Sequence, residues 1–255
     1  MAAVIDFKPK MLGIVCNWCC YGGADLAGVS RFQYPPHIRL MRVMCSGRVD
    51  MKHIFRAFSN GADAVFIGGC HLSDCHYITE GNYDALRMVL LAKKILKTIG
   101  VNPDRLRLEW VSAGEGIRFA NIMNEFAAQI KEIGPLGVSE GIDPVNLKRS
   151  FGAVTRIIPY IRGVDNQRLR VSFPEEEQYV QYYDSPELNG LYQELIANKL
   201  AISQIVSLLG EKPLSTSEIA FALNLTPSEV SKHLVTGARM KYVKYDEVSK
   251  SYCIA

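Results

Sequence analysis

A chain of 255 residues with 48% hydrophobic content is long enough for one sizeable core and a second, smaller one. Its formal net charge of +3 demands neither a nucleic acid nor a charged membrane surface as partner. No apolar run is long enough to span a bilayer, and residues 1–10 lack the apolar stretch and small-residue cleavage site of a signal peptide, so the sequence reads as cytoplasmic with no membrane segment.

The first predicted strand is the short apolar run 11–15, which ends at Cys16. Cys16-Asn17-Trp18-Cys19-Cys20 follows and passes into Tyr21-Gly22-Gly23-Ala24-Asp25-Leu26-Ala27-Gly28. That stretch reads as a tight glycine turn. It faintly resembles a phosphate loop but lacks the Lys-Ser/Thr that would reach a nucleotide. Residues 38–44 form a second strand ending at Cys45, and Cys45-Ser46-Gly47-Arg48 is a turn. Residues 50–60 read as a helix, because Met51, Ile54, Phe55 and Phe58 fall at helical spacing and Gly61 is a fitting stop. A third strand over 62–67, bounded by Gly68 and Gly69, runs into Cys70.

Residues 83–99 are a longer amphipathic helix closed by Gly100, and 106–111 a fourth strand. A helix opening at Ser112 or Gly114 turns Ile117, Ile122, Met123, Phe126 and Ile130 inward. Strands alternating with helices indicate a parallel sheet with helical crossovers. The fold class is therefore α/β, a small flavodoxin-like or Rossmann-like layer within a first domain of residues 1–140.

Residues 141–198 read as an irregular connecting arm. Within it, 151–160 suit a helix ended by Pro159, and 169–173 suit a strand. Glu175, Glu176 and Glu177 with Tyr179, Tyr182 and Tyr183 suit a partly exposed, partner-contacting segment. Residues 199–255 are clearer. Ile202, Ile205, Val206 and Leu209 mark one helix, and Ser215-Thr216-Ser217-Glu218 matches a capping box ahead of a second. Thr226-Pro227 opens a third, carrying Val230, His233 and Leu234. Residues 242–245 and 251–254 alternate as a hairpin, completing a winged-helix-like domain.

Six of the seven cysteines precede residue 76. An odd number in a cytoplasmic chain argues against a disulfide framework, and Cys253 reads as a small hydrophobe. Cys16, Cys45 and Cys70 each follow a predicted strand. In a parallel sheet all three emerge at the carboxyl edge, where ligands bind, with Cys19 and Cys75 in the adjoining loops. Thiolates so gathered bind Zn²⁺, an iron–sulfur cluster or one another. A structural zinc needs four tetrahedral ligands, commonly two C-x-x-C knuckles, but four residues separate Cys70 from Cys75. A thioredoxin-like pair at Cys16 and Cys19 would open a helix and would leave three thiols unexplained. A [2Fe–2S] cluster takes four thiolates from scattered loops, so the candidates Cys16, Cys19, Cys45, Cys70 and Cys75 include one bystander. His71 and His76 raise a Rieske-like alternative, with hydrogen bonding around the ligands as their plainer role. Arg48 and the amides of Gly47, Gly68 and Gly69 are candidate donors to the sulfurs. With no Ser/His/Asp constellation or dinucleotide fingerprint in the sequence, electron transfer is favoured over catalysis on a substrate.

Three ordered motifs carry a family resemblance. They are Cys16-Asn17-Trp18-Cys19 with the following Tyr21-Gly22-Gly23-Ala24-Asp25-Leu26-Ala27-Gly28-Val29-Ser30-Arg31, Arg42-Val43-Met44-Cys45-Ser46-Gly47-Arg48-Val49, and Gly69-Cys70-His71-Leu72-Ser73-Asp74-Cys75-His76-Tyr77. Over about residues 10–135 the chain resembles the delta subunit of methyl-viologen-reducing hydrogenase. The resemblance implies a [2Fe–2S] cluster whose cysteines are drawn from Cys16, Cys19, Cys45, Cys70 and Cys75. Cys20 stands where a small non-ligand residue is expected. The resemblance further implies electron relay between a hydrogenase or formate dehydrogenase and the flavin subunit of heterodisulfide reductase. That relay runs within electron-bifurcating complexes of anaerobes, as in methanogenesis. The resemblance ends near residue 140.

Two other readings stand beside this one. The first is a redox-sensing iron–sulfur regulator that reads DNA with its winged helix. Its recognition helix, 227–236, would offer Lys232 against Glu229 and no Arg, Asn or Gln for base edges. Residues 199–255 hold seven Lys/Arg and five Asp/Glu, a weak field for phosphate binding. No nucleic acid partner is therefore expected, and the domain reads as a protein-docking module. The second is a zinc-stabilised scaffold with no redox role.

Overall fold

The two central strands are apolar on both faces and the two outer ones carry charge, as expected when helices cover both sides of a parallel sheet. The computed structural model describes residues 7–78 and 80–255. In it β1 (Met11–Cys16), β2 (Ile38–Val43), β3 (Ala64–Gly69) and β4 (Leu106–Trp110) pair in the order β2-β1-β3-β4, every pair parallel. The flavodoxin-like order puts a topological switch point between β1 and β3. Met11, Val15, Ala64 and Phe66 face α1 (Cys20–Val29) and α4 (Gly116–Ile133), packing against Ala24, Ala27, Phe119, Met123 and Phe126. Ile14, Val65 and Ile67, one residue out of step, are equally buried on the opposite face. There α2 (Met51–Ser59) contacts β3 and α3 (Asn82–Thr98) contacts β4. Asp50 caps α2 by accepting from the Lys52 amide at 2.8 Å.

Two expectations for this layer fail. Tyr21 to Gly28 lie inside α1 and not in a glycine turn. The small residues serve close packing: a Cβ on Gly23 would meet the Val111 side chain and the Ser112 carbonyl, each at 2.9 Å. One on Gly116 would lie 2.8 Å from the Ala27 amide nitrogen, so α1 and α4 also touch closely. Ile117, expected inward, is exposed, because the first turn of α4 faces the core with Gly116, Phe119 and Ala120 and leaves Ile117 on the outer side.

At the amino edge of the sheet Arg105 is fully buried. It binds both carboxylate oxygens of Glu140, at 2.6 and 3.2 Å, and the carbonyls of Asp63, Gly134 and Pro135, at 3.2, 2.8 and 3.2 Å. The segment after α4 is thereby tied to the start of β3.

Residues 170–185 belong to this same unit. No strand forms over 169–173. The Phe173 amide donates to the Tyr179 hydroxyl (3.1 Å), and the Pro174 carbonyl accepts from Tyr83 (3.2 Å). In α6 (Glu176–Asp184) Tyr179 and Tyr183 are buried, so these tyrosines serve the chain's own packing and not a partner. Glu176 accepts from the Trp110 indole at 2.6 Å.

The second unit comprises residues 145–169 and 186–255. Helix α5 (Pro144–Val164) runs through Pro159, where an end was expected. Phe151, Val154, Ile158 and Ile161 continue its buried stripe past the proline, and packing outweighs one missing hydrogen bond. α7 (Pro186–Tyr192) passes through a π-turn into α8 (Asn198–Leu209). α8 is fixed to α5 by Ser203 donating to the Ala153 carbonyl (2.9 Å) and by Arg149 gripping both oxygens of Glu211 (3.0 and 2.8 Å). α9 (Thr216–Leu223) and α10 (Pro227–Arg239) each open with a complete capping box, Ser215 with Glu218 and Thr226 with Glu229. β5 (Val243–Asp246) and β6 (Ser251–Ile254) make the antiparallel wing, and Ile205, Leu209, Ile219, Val230, Leu234 and Val243 fill the core of this winged helix. Among the described residues no helix is long and apolar enough to cross a membrane.

Replacing Arg105 with Met should destabilise the first unit by about 3–5 kcal/mol, because Glu140 and three carbonyls lose their buried partner. Both tryptophans of the chain, Trp18 and Trp110, lie in that unit, so urea melts followed by tryptophan fluorescence report it alone. An unchanged midpoint would contradict the assigned role.

Candidate metal centre

Parallel pairing delivers the thiols. Cys16 is the last residue of β1, Cys70 follows β3 directly, and Cys45 stands two residues beyond β2. Cys75 lies in the loop between β3 and α3, and Cys19 flanks the amino end of α1. Cys16, Cys45, Cys70 and Cys75 are all buried and form a cluster of their own; Cys19, half-buried, packs against it. All five sequence candidates are thus brought to one edge, four of them inside it.

The sulfurs of Cys16 and Cys70 are 3.8 Å apart. A tetrahedral metal with sulfur at about 2.3 Å has ligand-to-ligand edges of about 3.8 Å, so these two are spaced as ligands of one ion. Cys45 and Cys75 interact as a second pair, and Cys19 reaches Cys70. Among the described residues no three His, Cys, Asp or Glu side chains converge on one point as a single bound ion would require. The contacts thus join Cys70 to Cys16 and Cys19 on one side and Cys45 to Cys75 on the other, an all-thiol donor set of the kind an iron–sulfur centre uses.

The thiols are electrostatically unequal. The hydrogen bond shared by the Cys16 and Cys70 sulfurs, against the opposing effect of burial and aided by the amides of Cys19, Trp18 and Ser46, lowers the Cys16 pKa to about 6. The same contact, with burial, pushes Cys70 up. Burial raises Cys45 to about 11 against the Gly47 amide, and burial also raises Cys19. A coordinated cation reverses the burial penalty and deprotonates thiols outright.

Glycines and one amide close the site. The Gly47 and Gly81 backbones are in direct contact, so the Cys45 and Cys75 loops meet with no room for a Cβ. Gly81 also has φ +59°, and a Cβ there would lie 2.5 Å from the Cys75 sulfur. Asn82, fully buried at the start of α3, donates to the carbonyls of Cys70 (3.1 Å) and His71 (2.7 Å) and holds the loop between the thiols. The sequence reading missed Asn82; its signal was a polar residue directly after a loop glycine at a helix start.

The remaining candidates are engaged elsewhere. His71 Nε2 meets Glu115 Oε2 at 2.7 Å, and that oxygen also accepts from the Ser112 amide (2.7 Å), so the ring is held away from a ligand role. His76 stacks on Trp18 with centroids 6.3 Å apart. Cys20 is buried in the aliphatic core, its thiol filling the space a Gly68 side chain would need. Because Cys19 flanks a helix, the Cys16–Cys19 motif does open one, against expectation; Cys16 nevertheless pairs with Cys70. Arg48 is exposed, and Gly68 and Gly69 lie in the β3 ladder. Cys253 lies in β6.

Residues 11–134 match the family model described as methyl-viologen-reducing hydrogenase, delta subunit, and residues 203–236 match that of the bacterial regulatory protein, arsR family. The iron-sulfur subunit of the F420-non-reducing hydrogenase of Archaeoglobus profundus is 52% identical over 130 residues, covering 51% of this chain and 94% of that protein. The corresponding iron-sulfur subunit of the F420-non-reducing hydrogenase vhc of Methanococcus voltae is 48% identical over 141 residues, 55% of this chain and 97% of that protein. One subunit of the ferredoxin/F(420)H(2)-dependent CoB-CoM heterodisulfide reductase of Methanosarcina acetivorans is 47% identical over 129 residues, 51% of this chain but 16% of its own length.

Gly81→Ala should pry the two loops apart. Native-state alkylation followed by mass spectrometry should find Cys45 and Cys75 labelled much faster than in the parent chain, with Cys20 still protected. Equal labelling rates would show that the close contact is dispensable.

Proposed function

This chain belongs to the methyl-viologen-reducing hydrogenase delta-subunit family, and from that membership we propose that it is an iron–sulfur electron-transfer subunit. It works between a hydrogenase or formate dehydrogenase and the flavin subunit of a heterodisulfide reductase, in a cytoplasmic, electron-bifurcating complex of an anaerobe. The names of its relatives, hydrogenase iron-sulfur subunits and a heterodisulfide reductase component, support a hydrogenase and a heterodisulfide reductase as partners. The observation that carries the reading is the double pair of buried thiols at the carboxyl edge of the sheet.

The cofactor in this proposal is a [2Fe–2S] cluster, which when bound takes up and releases a single electron. Cys16 and Cys70 would hold one iron and Cys45 and Cys75 the other, with Cys19 alongside as the bystander. The amides of Trp18, Cys19, Ser46 and Gly47 would donate to the ligand sulfurs and stabilise negative charge there. Burial behind the glycine contact would keep water from the sulfurs.

The arsR-family match favours one second reading, a redox-sensing regulator that binds DNA. α10 runs to Arg239, beyond the expected end, and adds an exposed cation to Lys232. Against it, Glu229 lies on the same helix, tied to Thr226, and Asp246 and Glu247 sit in the wing beside Lys244 and Lys250. Protein docking without nucleic acid remains the favoured role.

Anaerobically purified chain should be brown, with about two irons and two sulfides. Cys16→Ser, Cys45→Ser, Cys70→Ser and Cys75→Ser should each lose the cluster, and Cys19→Ser, Cys20→Ser and Cys253→Ser should keep it. Colourless protein holding only zinc would leave the scaffold reading. Titration of the intact chain with genomic DNA fragments at near-physiological salt decides the regulator reading. Tight, sequence-selective binding would favour it; weak, steeply salt-dependent binding would not.

A further inference from the structure

Ser46 is 1% exposed, and among the described residues its hydroxyl is a buried group without a hydrogen-bond partner. An unmet buried hydroxyl is destabilising, so its position calls for a reason. It opens the short 3₁₀ turn that follows Cys45. Its own amide points at the Cys16 sulfur, and the next amide, of Gly47, at the Cys45 sulfur. Its Oγ lies 2.8 Å from where a Cβ on Gly69 would stand, beside the residue that leads into Cys70. The hydroxyl is thus an unpartnered donor in the turn whose amides serve the Cys16 and Cys45 sulfurs, packed against Gly69, the last residue of β3 before Cys70.

We propose that Ser46 is a positioning residue whose hydroxyl donates a hydrogen bond to a sulfur of the iron–sulfur cluster and so raises its reduction potential. The inference rests on the cluster reading above. A hydroxyl hydrogen rotates to suit its acceptor, and a sulfur bound to iron carries negative charge that grows on reduction. A donor aimed at it stabilises the reduced form more than the oxidised one. The orphaned donor then has a partner whenever the cluster is present.

The test compares the intact chain with Ser46→Ala, which removes the donor, and Ser46→Thr, which keeps it. Iron and sulfide content, midpoint potential from an anaerobic redox titration, and thermal midpoint are read for each. The expected result is full iron in Ser46→Ala, a potential shifted to lower values, and a potential near the parent's in Ser46→Thr. An unshifted potential in an iron-replete Ser46→Ala chain overturns the inference while leaving the cluster reading intact. If Ser46→Ala loses its iron, iron retained at the parent potential in Ser46→Thr supports the hydroxyl, and loss in both overturns it in favour of a packing role. A parent chain without iron overturns both readings together.

Discussion

Parallel pairing of β1 with β2 on one side and β3 on the other is the constraint on which the site depends. It makes neighbours of Cys16 and Cys70, 54 residues apart in the chain, and brings Cys45 to the same edge. Parallel strands need long crossovers, so α1, α2 and α3 act as spacers that return each strand to one starting edge. The loops at the other edge are free to carry chemistry, and the cysteines concentrate there, at the switch point where ligands of such sheets bind. Arg105 ties down the opposite edge with a buried cation, away from any thiol.

A second constraint is proximity. Gly23 and Gly116 let helices approach strand and helix backbones, Gly68 yields space to Cys20, and Gly47 and Gly81 let two thiol-bearing loops touch. Buried thiols bring a cost of their own: burial disfavours the thiolate that any metal needs, and it drives Cys45 and Cys19 upward. At Cys16 the Cys70 thiol and three backbone amides more than offset that cost, whereas at Cys45 the Gly47 amide only opposes it and a bound cation would be needed to reverse it. Because such thiols must lose their protons to bind a metal, occupancy of this edge would be pH-dependent and coupled to folding.

Much of the first unit was legible because its signals are local. Short apolar runs bounded by glycine marked the strands, helical spacing marked α2 and α3, and one capping box marked α9. The convergence of thiols followed from those elements once the sheet was taken as parallel. What escaped depends on contacts between distant segments. The glycines of α1 look like a turn until Val111 and Ser112 are known to lie against them. Pro159 looks like a helix end until the buried stripe is seen to continue through Ile161. Tyr179 and Tyr183 look like an outward surface until Tyr83 and Phe173 close around Tyr179. Within the site, the sequence offered five equivalent cysteines. Burial separates four from Cys19, and neither Asn82 nor Ser46 has a motif that announces it.

The central claim is that four thiolates from three strand-end loops enclose a pair of irons. Mössbauer spectroscopy on chain loaded anaerobically with ⁵⁷Fe reads this most directly, because it reports how many irons are coupled and what ligates each. The account predicts a spin-coupled pair of ferric ions in two tetrahedral all-sulfur sites, one iron becoming ferrous on reduction. A single uncoupled iron, or an iron with nitrogen ligation, would contradict it.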